Sequence, residues 1–135
     1  MAKCLIQTVN PSSQAVAVNS IISLGTVSRR YGCGLRLSGN GIEVGGEGYY
    51  KINASITASP TAIGNVSVAM YVDGVAVPGA VSTGSVSVVG DATTLPIVAT
   101  IRRSCNCCEE VNNITFVLTS GASTINNISV RIEKS

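Results

Sequence analysis

The sequence predicts an all-β, single-domain fold built from antiparallel strands. Three observations carry this. From Tyr50 to Ala58 every second residue is apolar (Tyr50, Ile52, Ala54, Ile56, Ala58), while Lys51, Asn53, Ser55, Thr57 and Ser59 take the other face. That period of two is the mark of a half-buried strand. A second alternating run (Val66, Val68, Met70, Val72) leads into Asp73-Gly74, a two-residue hairpin signal because both turn positions favour positive φ. No segment shows a 3.6-residue apolar period.

The remaining strands follow in order. Residues 3–9 form a first strand, ended by Asn10-Pro11-Ser12-Ser13. Extended segments follow at 15–18 and 21–27, then a loop at Tyr31-Gly32-Cys33-Gly34. Leu35 and Leu37 flank Arg36 in a short strand, and Ile42 and Val44 make another before Gly45-Gly46-Glu47-Gly48. After the two long strands come residues 81–89, then Leu95, Ile97, Ala99 and Ile101, with Pro96 near the strand start or on an edge. The chain closes with Ile114, Phe116 and Leu118, a turn at Ser120-Gly121-Ala122-Ser123, and Ile128, Val130 and Ile132. About eight to ten strands with regular turn signals read as a sandwich, jelly roll or barrel.

Composition agrees and narrows the function. A chain of 135 residues holds one domain with its own core. Aromatics are 4% of residues, with no Trp and a single Phe, so the core falls to Val, Ile, Ala and Leu. Charged residues make up 12%, about half the usual share. That leaves a large uncharged surface, as in a subunit of an assembly. The net charge of +2, with Arg29-Arg30 and Arg102-Arg103 as isolated pairs, gives no nucleic-acid signature. The N-terminal MAKCLIQTV lacks an apolar signal core, and no apolar run reaches spanning length. Synthesis and folding in a cytoplasm, with neither membrane nor nucleic acid as partner, is the expectation.

The block GNGIEVGGEGYYKINASI resembles the strand opening of the tumour necrosis factor and complement-head superfamily, in its bacterial and phage branch. There an apolar-x-apolar pair precedes a Gly-x-Tyr strand. The matching positions are Ile42, Val44, Gly48 and Tyr50 (or Tyr49). The hairpin strand 66–72, Asp73-Gly74, Val77-Pro78-Gly79 and the terminal ISVRIEKS match the same pattern. The resemblance covers about residues 20–135 and implies a ten-stranded, TNF-like jelly-roll β-sandwich that forms a homotrimer. Residues 1–19 then form an N-terminal extended segment, for attachment or strand addition. There is no collagen-like run, which favours the phage branch. The implied role is a virion decoration, head-fibre or appendage subunit, made in the bacterial cytoplasm and joined to other virion or surface-structure proteins. The alternative is a receptor- or glycan-binding module on a phage tail or a bacterial cell or spore surface. Residues 59–65, 90–94 and 104–110 are its candidate loops.

Catalysis has little to draw on. The chain has no His, which removes Ser-His-Asp and Cys-His nucleophile systems. Asp73 and Asp91 are explained by turns and Glu133 by a strand's outer face. Glu109 and Glu110 diverge on an extended chain. No catalytic residue and no cofactor is expected. Tyr49, Tyr50 and Tyr71 are the candidate oligomer-interface residues, one of the Tyr49-Tyr50 pair facing the core and the other a partner.

The Cys105-Asn106-Cys107-Cys108 cluster leaves three readings open. They are plain thiols, a disulfide such as Cys33 to one of the cluster, or a soft-metal site on Cys105, Cys107 and Cys108. Elemental analysis of protein purified under reducing conditions tests the metal reading. Stoichiometric zinc or copper would assign the metal site, and its absence would leave the first two.

Overall fold

The computed structural model describes residues 5–31, 35–45, 48–88, 91–103 and 112–134. Its strands are β1 (Leu5–Asn10), β2 (Gln14–Val16), β3 (Ser20–Ile21), β4 (Thr26–Tyr31), β5 (Leu35–Ser38), β6 (Gly41–Val44), β7 (Gly48–Pro60), β8 (Gly64–Val72), β9 (Val75–Val86), β10 (Thr93–Arg103), β11 (Asn112–Ser120) and β12 (Ser123–Lys134). They form two antiparallel sheets. The first runs β10-β7-β12-β1-β4, with β2 added on β12. The second runs β5-β6-β11-β8-β9, with β3 added on β11. This is a TNF-like jelly-roll sandwich.

The alternation of the sequence becomes the two faces of each sheet. Ile52, Ile56, Ile97, Ile128, Val130 and Ile132 of the first sheet are essentially buried. Ile42, Val66, Val68, Met70, Ile114, Phe116 and Leu118 of the second sheet are fully buried. One continuous cluster results, and β-branched side chains suit it because they are already stiff at χ1 and pack well on a pleated surface. Each fully buried side chain of this size contributes about 1.5–3 kcal/mol.

Turns are set where the sequence requires them. Asp73 (φ 53) and Gly74 (φ 82) form the two-residue β8–β9 hairpin. Asp73 also joins a third strand: its N–H donates to the Asn113 carbonyl at 2.8 Å, and its Oδ1 accepts from the Asn113 N–H at 2.8 Å. At Gly121 (φ 74) an added Cβ would collide with the Asn65 carbonyl oxygen.

Residues 5–10, within the strand expected at 3–9, and residues 14–16 are strands of the first sheet. β1 lies between β12 and β4, with Ile6 and Thr8 fully buried. The segment expected at 21–27 is instead β3 and β4, separated by a stretch that leaves the sheet yet buries Ile22 and Leu24. β9 begins at Val75 rather than Val81, because the Val77-Pro78-Gly79 stretch is absorbed by a register shift between Ala69 and Tyr71. Pro96 pairs opposite Ser55 on β10, an edge strand, where a missing N–H is tolerated.

Phe116→Ala should cost about 3–5 kcal/mol through lost burial and a cavity, read as a fall in the urea midpoint. Thr8 offers the opposite case. Its buried Oγ1 has no hydrogen-bond partner among the described residues, beside the β1–β4 register shift at Gln7/Thr8. Thr8→Val should therefore raise stability by about 1 kcal/mol. Deleting residues 1–12 removes β1 and should abolish cooperative unfolding, because the sheet then opens between β12 and β4.

Candidate functional site

Directly paired residues share a face, so the register maps the outside of each sheet. On the first sheet, opposite the core, one row reads Val98, Asn53, Arg131, Gln7, Arg29 across β10, β7, β12, β1 and β4. The next row toward the far tip is Pro96, Ser55, Ser129, Val9, Thr26, and beyond it Thr94, Thr57 and Asn127. In the other direction lie Thr100, Lys51, Glu133 and Leu5, then Tyr49 opposite Arg102.

This face is divided. The part over β10 and β7, from Val98 to Thr94, holds hydroxyl and amide side chains with Pro96 and Val98 and no charge. Val98 stands out, 73% exposed on a strand whose alternate residues Leu95 and Ile97 are buried. The part nearer the chain ends carries the ions. Arg131 Nη2 donates to Glu133 Oε2 at 3.1 Å, and Arg36 on the second sheet donates from Nε to Glu43 Oε1 at 3.0 Å. Both pairs are surface pairs and add little to stability.

The three tyrosines do not converge. Tyr50 is 1% exposed, and its hydroxyl donates to the Gly45 carbonyl at 2.7 Å. It is the core-facing member of the Tyr49–Tyr50 pair, which leaves Tyr49 as the member open to a partner. Tyr49, 53% exposed, lies on the outer face of the first sheet. Tyr71 is half-buried on the outer face of the second, opposite Thr115 and Ala76. That second face carries an apolar row that composition alone did not reveal: Ile21, Val117, Ala69 and Val81, adjacent across four strands.

At the far tip, Ile63 and Val88 are more than half exposed. A recess of about 310 Å³ opens there between residues 15–17, Thr61 and residues 122–124. Thr61 closes its floor, donating from both N–H and Oγ1 to the Ala122 carbonyl. Of the candidate loops, the turn at 61–63 forms this tip. Residues 89–90 and 104–110 lie outside the described residues. So do Cys105, Cys107 and Cys108, with Cys4 and Cys33. Among the described residues no group of three His, Cys, Asp or Glu side chains is placed to hold a metal ion.

No protein-family profile matches the chain, and no curated protein matches it. Solved structures do. Eiger TNF from S. frugiperda superposes with a TM-score of 0.73 at 9% identity, over 99% of this chain and 92% of that one. The globular domain of zebrafish complement 1qA gives 0.71 at 6%, over 96% and 94%. PRD1 vertex protein P5 gives 0.61 at 14%, over 97% and 96%. At these identities the likeness is one of fold.

Proposed function

We propose that the protein is a non-enzymatic structural subunit that works as a homotrimer on a phage virion, as a capsid decoration, head-fibre or appendage component. The observation that carries this is the uncharged outer face of β10 and β7 from Thr94 to Val98, with Val98 raised at the edge that borders Lys51. Burying Asn, Ser and Thr side chains against like side chains costs little when each finds a hydrogen bond, whereas burying a lone charge is expensive. An apolar anchor on a polar, uncharged patch with charge at its rim is the anatomy of a subunit contact. The likeness to PRD1 vertex protein P5 supports the virion setting, and the resemblance to the tumour necrosis factor and complement-head superfamily supports three-fold assembly. The described chain ends at Leu5 and Lys134 leave together, since Leu5 pairs with Glu133. Attachment to other virion proteins is then placed at this end of the sandwich.

The far tip, with Ile63 and Val88 exposed beside a recess lined mainly by Ala15, Val16, Ala17 and Ala122, favours one further role on the same scaffold, a receptor- or glycan-binding module. A glycan array with the full chain tests the glycan reading, and uniform absence of binding removes it.

Light scattering of the full chain should give three times the 13.8 kDa monomer mass. Val98→Glu should shift it to the monomer mass. Because Val98 is 73% exposed in the protomer, the substitution should leave protomer stability within about 0.5 kcal/mol. A monomeric wild type, or a trimer unaffected by Val98→Glu, would overturn the assignment of this face.

A further inference from the structure

The charges are segregated along the strand axis. Every described Lys and Arg, from Arg29 on β4 to Lys134 on β12, lies toward the end where the described chain ends leave the sandwich. Glu43, Asp73 and Glu133 lie there too, and Asp91 is the single charged residue described at the far tip. Lys3, Glu47, Glu109 and Glu110 are outside the described residues. Glu43 and Glu133 are already held by Arg36 and Arg131, and Asp73 is bonded to the Asn113 main chain. Arg29, Lys51 and Lys134 make no ion pair among the described residues. Arg30 spends its Nε–H on the Leu35 carbonyl at 2.9 Å. The described part of this end thus presents unpaired cations in a frame of neutralised acids.

We infer that the charged end, centred on Arg29, Lys51 and Tyr49, docks on the surface of a protein rich in Asp and Glu. Charge complementarity identifies the partner's sign. The ion pairs among the cations favour a protein. Glu43 with Arg36 and Glu133 with Arg131 break the positive surface into separated cations, which suits a protein's scattered carboxylates, whereas a nucleic acid or an anionic bilayer presents continuous negative charge and favours an unbroken basic surface. Tyr49, 53% exposed beside Lys51 on the same face, adds a rigid aromatic of the type enriched in protein interfaces. The docked molecule holds its far tip, with Ile63, Val88, the recess and the single described charge Asp91, away from the partner. Arg29 shares the row of Val98 but lies on β4, four strands away, and Lys51 borders the Val98 surface on β7, so native mass is measured for each variant alongside binding.

The test is fluorescence anisotropy with the full chain and four probes. They are a soluble peptide of Asp and Glu spaced by Ser and Lys, polyglutamate, a single-stranded oligodeoxythymidine, and phosphatidylcholine vesicles containing phosphatidylserine. The mixed-sign acidic peptide should bind best and weaken as NaCl is raised. The Arg29→Glu/Lys51→Glu variant should lose about tenfold in affinity, which is about 1.4 kcal/mol. Ile63→Ser at the far tip should change nothing. Circular dichroism confirms folding of each variant, and Arg29→Gln/Lys51→Gln, which removes charge without reversing it, should fall between wild type and the reversal. Absence of peptide binding, or binding indifferent to the reversal, would overturn the inference. Tighter binding to polyglutamate, DNA or vesicles than to the mixed peptide would overturn the assignment to a protein surface. A change of native mass is read separately, so failure of the trimer leaves this result standing.

Discussion

The pairing of β7 with β12 is the constraint on which the rest of the molecule depends. From Ser123 opposite Pro60 to Lys134 opposite Tyr50 the two strands run together almost end to end. β7 then seats β10 on its other edge, and β12 seats β1 and β2. A slip of one residue would carry Ile52, Ile56, Ile128 and Ile132 from the core to the outside together. The register is pinned where it is most at risk. The shift between Ile125 and Asn127 leaves Asn126 out of step, and its Nδ2 donates to Ser59 Oγ at 2.8 Å across the strands.

Given that register, the outer face follows without further choice. Residues selected for alternation in β7 fall beside residues selected for alternation in β10 and β12, and a surface appears that no one strand displays. Its uncharged upper part and its ionic lower part are then separate regions of one continuous sheet. The second sheet shows the same effect in another form. Ile21, Val117, Ala69 and Val81 are scattered in sequence, yet pairing makes them neighbours.

The long strands were legible because β7, β8, β10 and β12 alternate cleanly and Asp73-Gly74 admits one kind of turn. The departures have local causes. Val77-Pro78-Gly79 reads as a turn, and Gly79 does have φ 83, but β9 continues through it because an edge strand can absorb an extra residue as a bulge. Gly25 (φ 78) immediately precedes β4, so the run before it breaks where periodicity suggested continuity. Arg29 and Arg30 lie near the end of that strand. Tyr50 falls on the apolar face by its period with Ile52 and Ile56, whereas the neighbours of Tyr49 on the outer face depend on the register. The site was less legible than the fold. A charge-poor surface could be read from composition, but the segregation of charge to one end depends on which strand ends lie together.

The central position of β1 has a consequence for how the protein is made. β1 can pair early with β4, but its other edge waits for β12, where Ile6 lies opposite Ile132. Contacts of such long sequence separation carry a large loop-closure cost and slow folding. Until β12 is seated, β1 keeps one aliphatic edge open to edge-to-edge association with other chains. Seating β12 between β7 and β1 is thus the event that closes the first sheet, and assembly of subunits on this face follows it.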